Sequence, residues 1–153
     1  MYTRKYNLEI HRVPEKEGED LEEMVIKAAE SVQIDIDEDD IDIVHRMPSK
    51  KTGMRPIIVR FKSYKAKSKV YFVRKKSRRV SSYDDTLNGA KALYFNENLT
   101  SYRRKLYAEV RKRGKKLNSW FSTWTIDGKI FVRTEKGEKP QQISNQSDLE
   151  YLY

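Results

Sequence analysis

The strongest constraint on this chain is the order in which apolar periodicity changes along its first hundred residues. Asn7–Val13 (NLEIHRV) alternates, with Leu8 and Ile10 on one side and Glu9 and His11 on the other. That pattern predicts a half-buried strand, closed by Pro14. After an acidic loop, Leu21, Met24, Val25, Ala28, Ala29 and Val32 recur at helical spacing. Asp20 stands before them as an N-cap residue, with Glu22 and Glu23 in the first turn. Strand character returns in IDIVHRM at 41–47, which places Ile41 and Ile43 on one face and Asp42 and Val44 on the other. It returns again in IIVRF, where Ile57, Val59 and Phe61 oppose Ile58 and Arg60. Behind Ser63, YKAKSKVYFVRKK predicts a second helix with Ala66, Val70 and Val73 in one stripe. Asp84-Asp85 and Asn88-Gly89 mark turns, and ALYF at 92–95 predicts a fourth strand. The β-α-β-β-α-β order predicts an α+β, ferredoxin-like domain over 7–97, an antiparallel sheet against two helices.

Residues 98–153 predict a small second domain, a helix followed by a β-hairpin. Thr100 caps SYRRKLYAEVRKRGKKL, in which Leu106, Val110 and Leu117 form the packing stripe and Gly114 interrupts or ends the helix. FSTWTI and KIFVRT flank Asp127-Gly128, a type I′ hairpin signal. A turn at Lys136-Gly137, a short QQIS strand and a SDLEYLY helix complete it. A lone hairpin is marginal in water, so Trp124 or Phe131 is expected to pack against Leu106, Val110 and Leu149.

Charge separates along the chain. Within the overall +9, Glu15–Asp42 carries a net of −11 and Ile43–Tyr153 a net of +18. A polyanion would be drawn to the later body and turned away from the acidic flank. No run approaches the roughly 18 apolar residues that span a bilayer, and MYTRKYNLEI has no apolar signal core, so no membrane role is expected. The absence of cysteine fits an intracellular setting, cytoplasm or nucleus.

Chemistry-bearing patterns are sparse. His11 and His45 are the only histidines, so no metal site is expected from them. The DIDEDD run at 35–40 has Asp40 where a calcium loop needs glycine and Arg46 where it needs glutamate, and reads as a solvated acidic loop. No glycine-rich phosphate loop occurs. No enzyme activity and no cofactor are expected. Strand three offers Ile58 and Arg60, and strand one Glu9 and His11, where an RNA-recognition sheet would place stacking aromatics.

Cations cluster on Lys65, Lys67, Lys69, Arg74, Lys75, Lys76, Arg78 and Arg79, again on Arg103–Lys116, and around Lys50, Lys51 and Arg55. Tyr64, Tyr71, Phe72, Tyr83, Tyr94, Tyr102, Tyr107, Trp120 and Trp124 accompany them. Phosphates need clustered donors and bases need flat apolar neighbours. The expected sites are therefore Arg103, Arg104, Arg111, Lys112, Lys75 and Lys76 for backbone contact, with Tyr102 and Tyr107 for stacking. The expected function is binding of single-stranded nucleic acid, mainly RNA with DNA as its chemical equivalent, along a basic cleft between the two domains.

NLEIHRVPEKEGEDLEEMV, DIDIVHRM, RPIIVRF, LYFNENLTSYRRKLY and WTIDGKIFVR together resemble two related groups over about 7–152. One is the first-open-reading-frame proteins of LINE-type non-LTR retrotransposons. The other is the baculovirus few-polyhedra (FP) protein with its transposon-derived relatives. The retrotransposon resemblance implies a non-standard RNA-recognition domain plus a C-terminal domain, holding single-stranded RNA in a ribonucleoprotein with chaperone activity. It implies nucleic-acid contacts for Arg103 and Arg104, for Arg55 and Arg60 flanking strand three, and for Arg46 ending strand two. Those proteins trimerise through an upstream coiled coil, and no heptads occur here, so self-association of the full-length protein is expected to need an upstream segment. The FP resemblance implies the alternative, a protein-interaction or assembly module with weak or no nucleic-acid affinity.

Overall fold

The computed structural model describes residues 4–49, 51–78, 85–116 and 121–151. The turn expected at Asp84 and the candidates Lys50, Arg79, Tyr83, Leu117 and Trp120 lie outside them, as does the side chain of Arg78. The chain divides into two units, one of Lys5–Asn98 and the other of Leu99–Tyr153 together with Arg4.

The first unit runs β1 (Asn7–His11), α1 (Leu21–Glu30), β2 (Ile41–Arg46), β3 (Ile57–Phe61), α2 (Tyr64–Tyr71) and β4 (Tyr94–Glu97). Its four strands lie in the order β2-β3-β1-β4, every pair antiparallel, which is the ferredoxin-like arrangement. Alternation sends Leu8, Ile10, Ile57, Val59, Phe61 and Phe95 to the helix side, where Met24, Val25, Ala28, Ala29, Ala66 and Val70 meet them. Asp20 caps α1 by accepting from the Glu23 amide at 3.2 Å, and Ser63 caps α2 by accepting from Ala66 at 3.1 Å.

Several local expectations shift. An extra residue, Asp42, bulges between Ile41↔Phe61 and Ile43↔Arg60, and inverts the alternation that period two alone would give. Val44 therefore packs on the core, while Ile43 is 56% exposed. Helix α2 stops at Tyr71, and Arg74–Arg78 continue as a 3-10 turn. The fourth strand begins at Tyr94, two residues later than its apolar run suggests. Within α2, Lys67 is not a surface cation. It lies on the Ala66–Val70–Tyr71 stripe, 1% exposed, with Nζ 2.7 Å from the Glu97 carboxylate and near the rings of Tyr64 and Tyr71.

The second unit takes in Arg4 as well as the chain from Leu99 onward, and Arg4 Nη1 donates to the Leu99 carbonyl at 3.1 Å within it. It contains α3 (Ser101–Gly114), β5 (Ser122–Ile126), β6 (Lys129–Arg133), β7 (Gln141–Ile143) and α4 (Gln146–Glu150). The three strands form an antiparallel sheet in chain order. Asp127 and Gly128 both take positive φ, 52° and 78°, as a two-residue type I′ turn requires. That turn pairs Thr123 with Val132, Trp124 with Phe131 and Thr125 with Ile130. Ile130 and Val132 therefore face the helices, joining Leu106, Val110, Ile143 and Leu149 in the core. Trp124 and Phe131, one or the other of which was expected there, stack together on the opposite face with ring centroids 6.3 Å apart. Gly114 does not act as a left-handed cap. It is buried as the last residue of α3, where a β-carbon would overlap the Phe121 ring.

Candidate nucleic-acid interface

Helix α3 carries most of the expected contacts, and its periodicity sorts them. Thr100 caps it by accepting from the Arg103 amide at 3.3 Å, and Arg111, Lys112 and Arg113 in the last turn suit the dipole. Leu106, Val110 and Gly114 recur every four residues and are buried. At 100° per residue, Arg104, Lys105, Ala108, Arg111, Lys112 and Lys115 fall on the opposite face, and all are exposed. Six basic residues and one acidic residue, Glu109, occupy this helix. The exposed face is therefore a cationic strip, with Tyr102, 59% exposed, at its start.

The arginine pair divides. Arg103 sits seven residues before Val110, on the core side, and is half-buried with Nη1 inaccessible, whereas Arg104 is exposed. Tyr107 is half-buried and its hydroxyl donates to the Thr123 carbonyl at 3.4 Å, so it fastens the hairpin to the helix. The Arg111 guanidinium lies 5.7 Å from the Tyr107 ring, and Arg113 Nη1 donates to the Leu149 carbonyl at 3.2 Å. In the first unit Lys75 and Lys76 are exposed on the 3-10 turn that follows α2.

The arginines around the first sheet have other occupations. Arg46 places Nε and Nη2 each 2.9 Å from the Glu19 carboxylate. Its Nη1 reaches the carbonyls of Val13 (2.8 Å) and Arg55 (2.6 Å), and Nη2 that of Pro14 (3.1 Å). Those bonds account for all five guanidinium donors. Asn88, at a positive φ of 53°, adds bonds to Glu19 (3.0 Å) and the Pro14 carbonyl (2.7 Å). Arg55 clasps Glu15 through Nε (2.8 Å) and Nη2 (2.6 Å), and the same carboxylate accepts from the backbone amides of Gly53 and Arg55. Arg46 and Arg55, expected at a phosphate, thus tie the β1–α1 loop to the ends of β2 and β3. Arg60 remains half-exposed, 3.5 Å from Asp42.

These contacts set the acid response. The Arg55 side chain, aided by the two amides, holds the Glu15 carboxyl down at about 2 from 4.5. For Glu19, burial is the largest single influence and pushes its carboxyl up. The bonds from Arg46, the Lys16 amide and Asn88 together outweigh it and hold the carboxyl below the usual range. A depressed carboxylate stabilises the fold above its unfolded value and loses that contribution as pH falls through its folded value. The melting-temperature difference between parent and Glu15→Gln should therefore be full near neutrality and shrink between about 4.5 and 2. A difference that stays constant through that window would show that Arg55 does not hold the carboxylate.

On the side of the sheet away from the helices, Glu9 is only 3% exposed, accepts from Asn98 Nδ2 at 2.7 Å and lies 2.9 Å from His11 Nε2. Tyr94 pairs opposite His11, with the Arg12 guanidinium 5.1 Å from its ring. Among the described residues no group of three His, Asp or Glu could hold a metal ion. The acidic segment instead satisfies itself. Asp37 and Asp40 form a reciprocal capping box around the 3-10 turn Glu38–Asp40. No described helix is long and apolar enough to cross a membrane.

Sequence reasoning named Trp124 among the aromatics but missed its grouping with Phe131 and with the Arg133 guanidinium, 5.5 Å from the Trp124 ring. Its signal was present, because a two-residue Asp127-Gly128 turn fixes Trp124 opposite Phe131.

The fold defines a class, an α+β chain in which a ferredoxin-like unit is followed by a smaller unit of helix and three-stranded sheet. Residues 100–153 match the family described as Baculovirus FP protein domain 2. No curated protein matches the chain.

Proposed function

We propose that this chain is a non-catalytic protein-interaction and assembly module of the baculovirus FP kind. The supporting observation is the match over 100–153, which takes in every element of the second unit from α3 to α4. The internal use of Arg46 and Arg55 argues in the same direction, because it removes two cations from any phosphate track on the first unit.

One observation favours a second reading, the cationic strip on α3. In that reading Arg104, Lys105, Arg111, Lys112 and Lys115 neutralise phosphates of single-stranded RNA or DNA, and Tyr102 stacks on a base. A retroelement ribonucleoprotein or chaperone role would follow from it.

Calorimetric titration with a 30-nucleotide polyuridine (about four times the reach of one single-strand module) separates the two. Neutralising about five phosphates gives a log–log slope near −3.5, so affinity would fall roughly 130-fold between about 50 and 200 mM salt. The assembly reading expects no measurable heat of binding, or weak binding with little salt dependence. A steep slope, made shallower by about 1.4 in the Arg104→Ala/Lys105→Ala pair, overturns it in favour of nucleic acid.

A further inference from the structure

We propose that β2 is the edge through which two copies of this chain pair antiparallel, extending the four-stranded sheet into a second copy's sheet. The inference rests on the assembly reading and names its partner, but it concerns the first unit, whereas that reading is supported by the second.

Strand β2 ends the sheet order, so among the described residues one row of its backbone donors and acceptors has no neighbouring strand. Asp42, Ile43 and His45 are all exposed there. Proteins usually blunt such edges with lysine, proline or a bulge. Here the bulge is confined to Asp42, and Ile43–Arg46 run in regular register with β3 without lysine or proline. Ile43, exposed at 56%, stands on the side of the sheet away from the helices, where a paired copy would cover it.

The charge pattern selects the occupant and its direction. The chain entering β2 carries Asp35, Asp37, Glu38, Asp39 and Asp40 and no basic residue. Leaving it, the chain carries the exposed Lys51, with no acidic residue from Ile43 to Lys62. Antiparallel pairing of two copies lays each acidic entry beside the other's basic exit, and a two-fold axis repeats the match. Parallel pairing would set acid against acid and base against base. Only a few backbone pairs and exposed ion contacts are gained, so the dimer should be weak and salt-sensitive.

Sedimentation of the full chain over about 10–300 µM at low salt tests this, a range suited to a small interface. A dimer that weakens as salt is raised is expected. Ile43→Lys should weaken it by at least about tenfold, since an edge lysine on both copies opposes pairing, while leaving the melting temperature nearly unchanged. Glu38→Lys/Asp39→Lys should weaken it as well, and adding Lys51→Glu should restore part of the loss. A chain monomeric throughout, or an Ile43→Lys variant that dimerises like the parent, overturns the edge pairing. In the second case self-association runs through another surface, so the assembly reading stands. In the first that reading is decided by the oligonucleotide titration.

Discussion

Replacing Lys67 with methionine is expected to destabilise the first unit by about 3–5 kcal/mol, although the change makes α2 more apolar. Lys67 and Glu97 are 1% and 0% exposed, with the ammonium 2.7 Å from the carboxylate. Two charges held this deep recover their lost hydration mainly from each other. Removing the ammonium leaves a buried carboxylate without its principal counter-charge, a penalty larger than the hydrophobic gain from the methionine. The asymmetry gives the test its force. Lys67→Met combined with Glu97→Leu should recover most of the loss, because an apolar pair of similar volume often matches a buried ion pair in stability. Urea unfolding of the parent, both single variants and the double variant measures this coupling. A single Lys67→Met variant within about 1 kcal/mol of the parent would mean that the pair is effectively solvated.

Arg46→Met should cost roughly 2–4 kcal/mol, less than a fully buried pair because the Arg46 and Glu19 side chains are 7% and 13% exposed. The substitution removes the bidentate partner of Glu19 and leaves the carbonyls of Val13, Pro14 and Arg55 without their guanidinium donors. This variant separates a structural arginine from a ligand-binding one. Arg104→Ala/Lys105→Ala, on the exposed face of α3, should leave unfolding free energy within about 0.5 kcal/mol per site. If Arg46→Met melts like the parent while losing oligonucleotide binding, the guanidinium serves phosphate and not the loop.

Such pairs show why the candidate site was only partly legible in sequence. A cation's type is visible, but its counter-charge lies far along the chain. Lys67 is thirty residues from Glu97, and Arg46 twenty-seven from Glu19. Arg104 could be read as exposed and Arg103 as inward, because their difference is one of phase against Leu106 and Val110 on a single helix.

What the sequence determined by itself is what short-range geometry controls. The alternation of Leu8 and Ile10, the helical recurrence from Leu21 to Ala29 and the Asp127-Gly128 turn each act over a few residues, and their order was enough for the ferredoxin-like arrangement and the hairpin. Tertiary structure alone decided the bulge at Asp42 that turns Ile43 outward, the end of α2 at Tyr71, and the arginines and lysine drawn into ion pairs. Each of those depends on a partner brought close only by folding, and the energy of a charge depends on how much water that partner displaces.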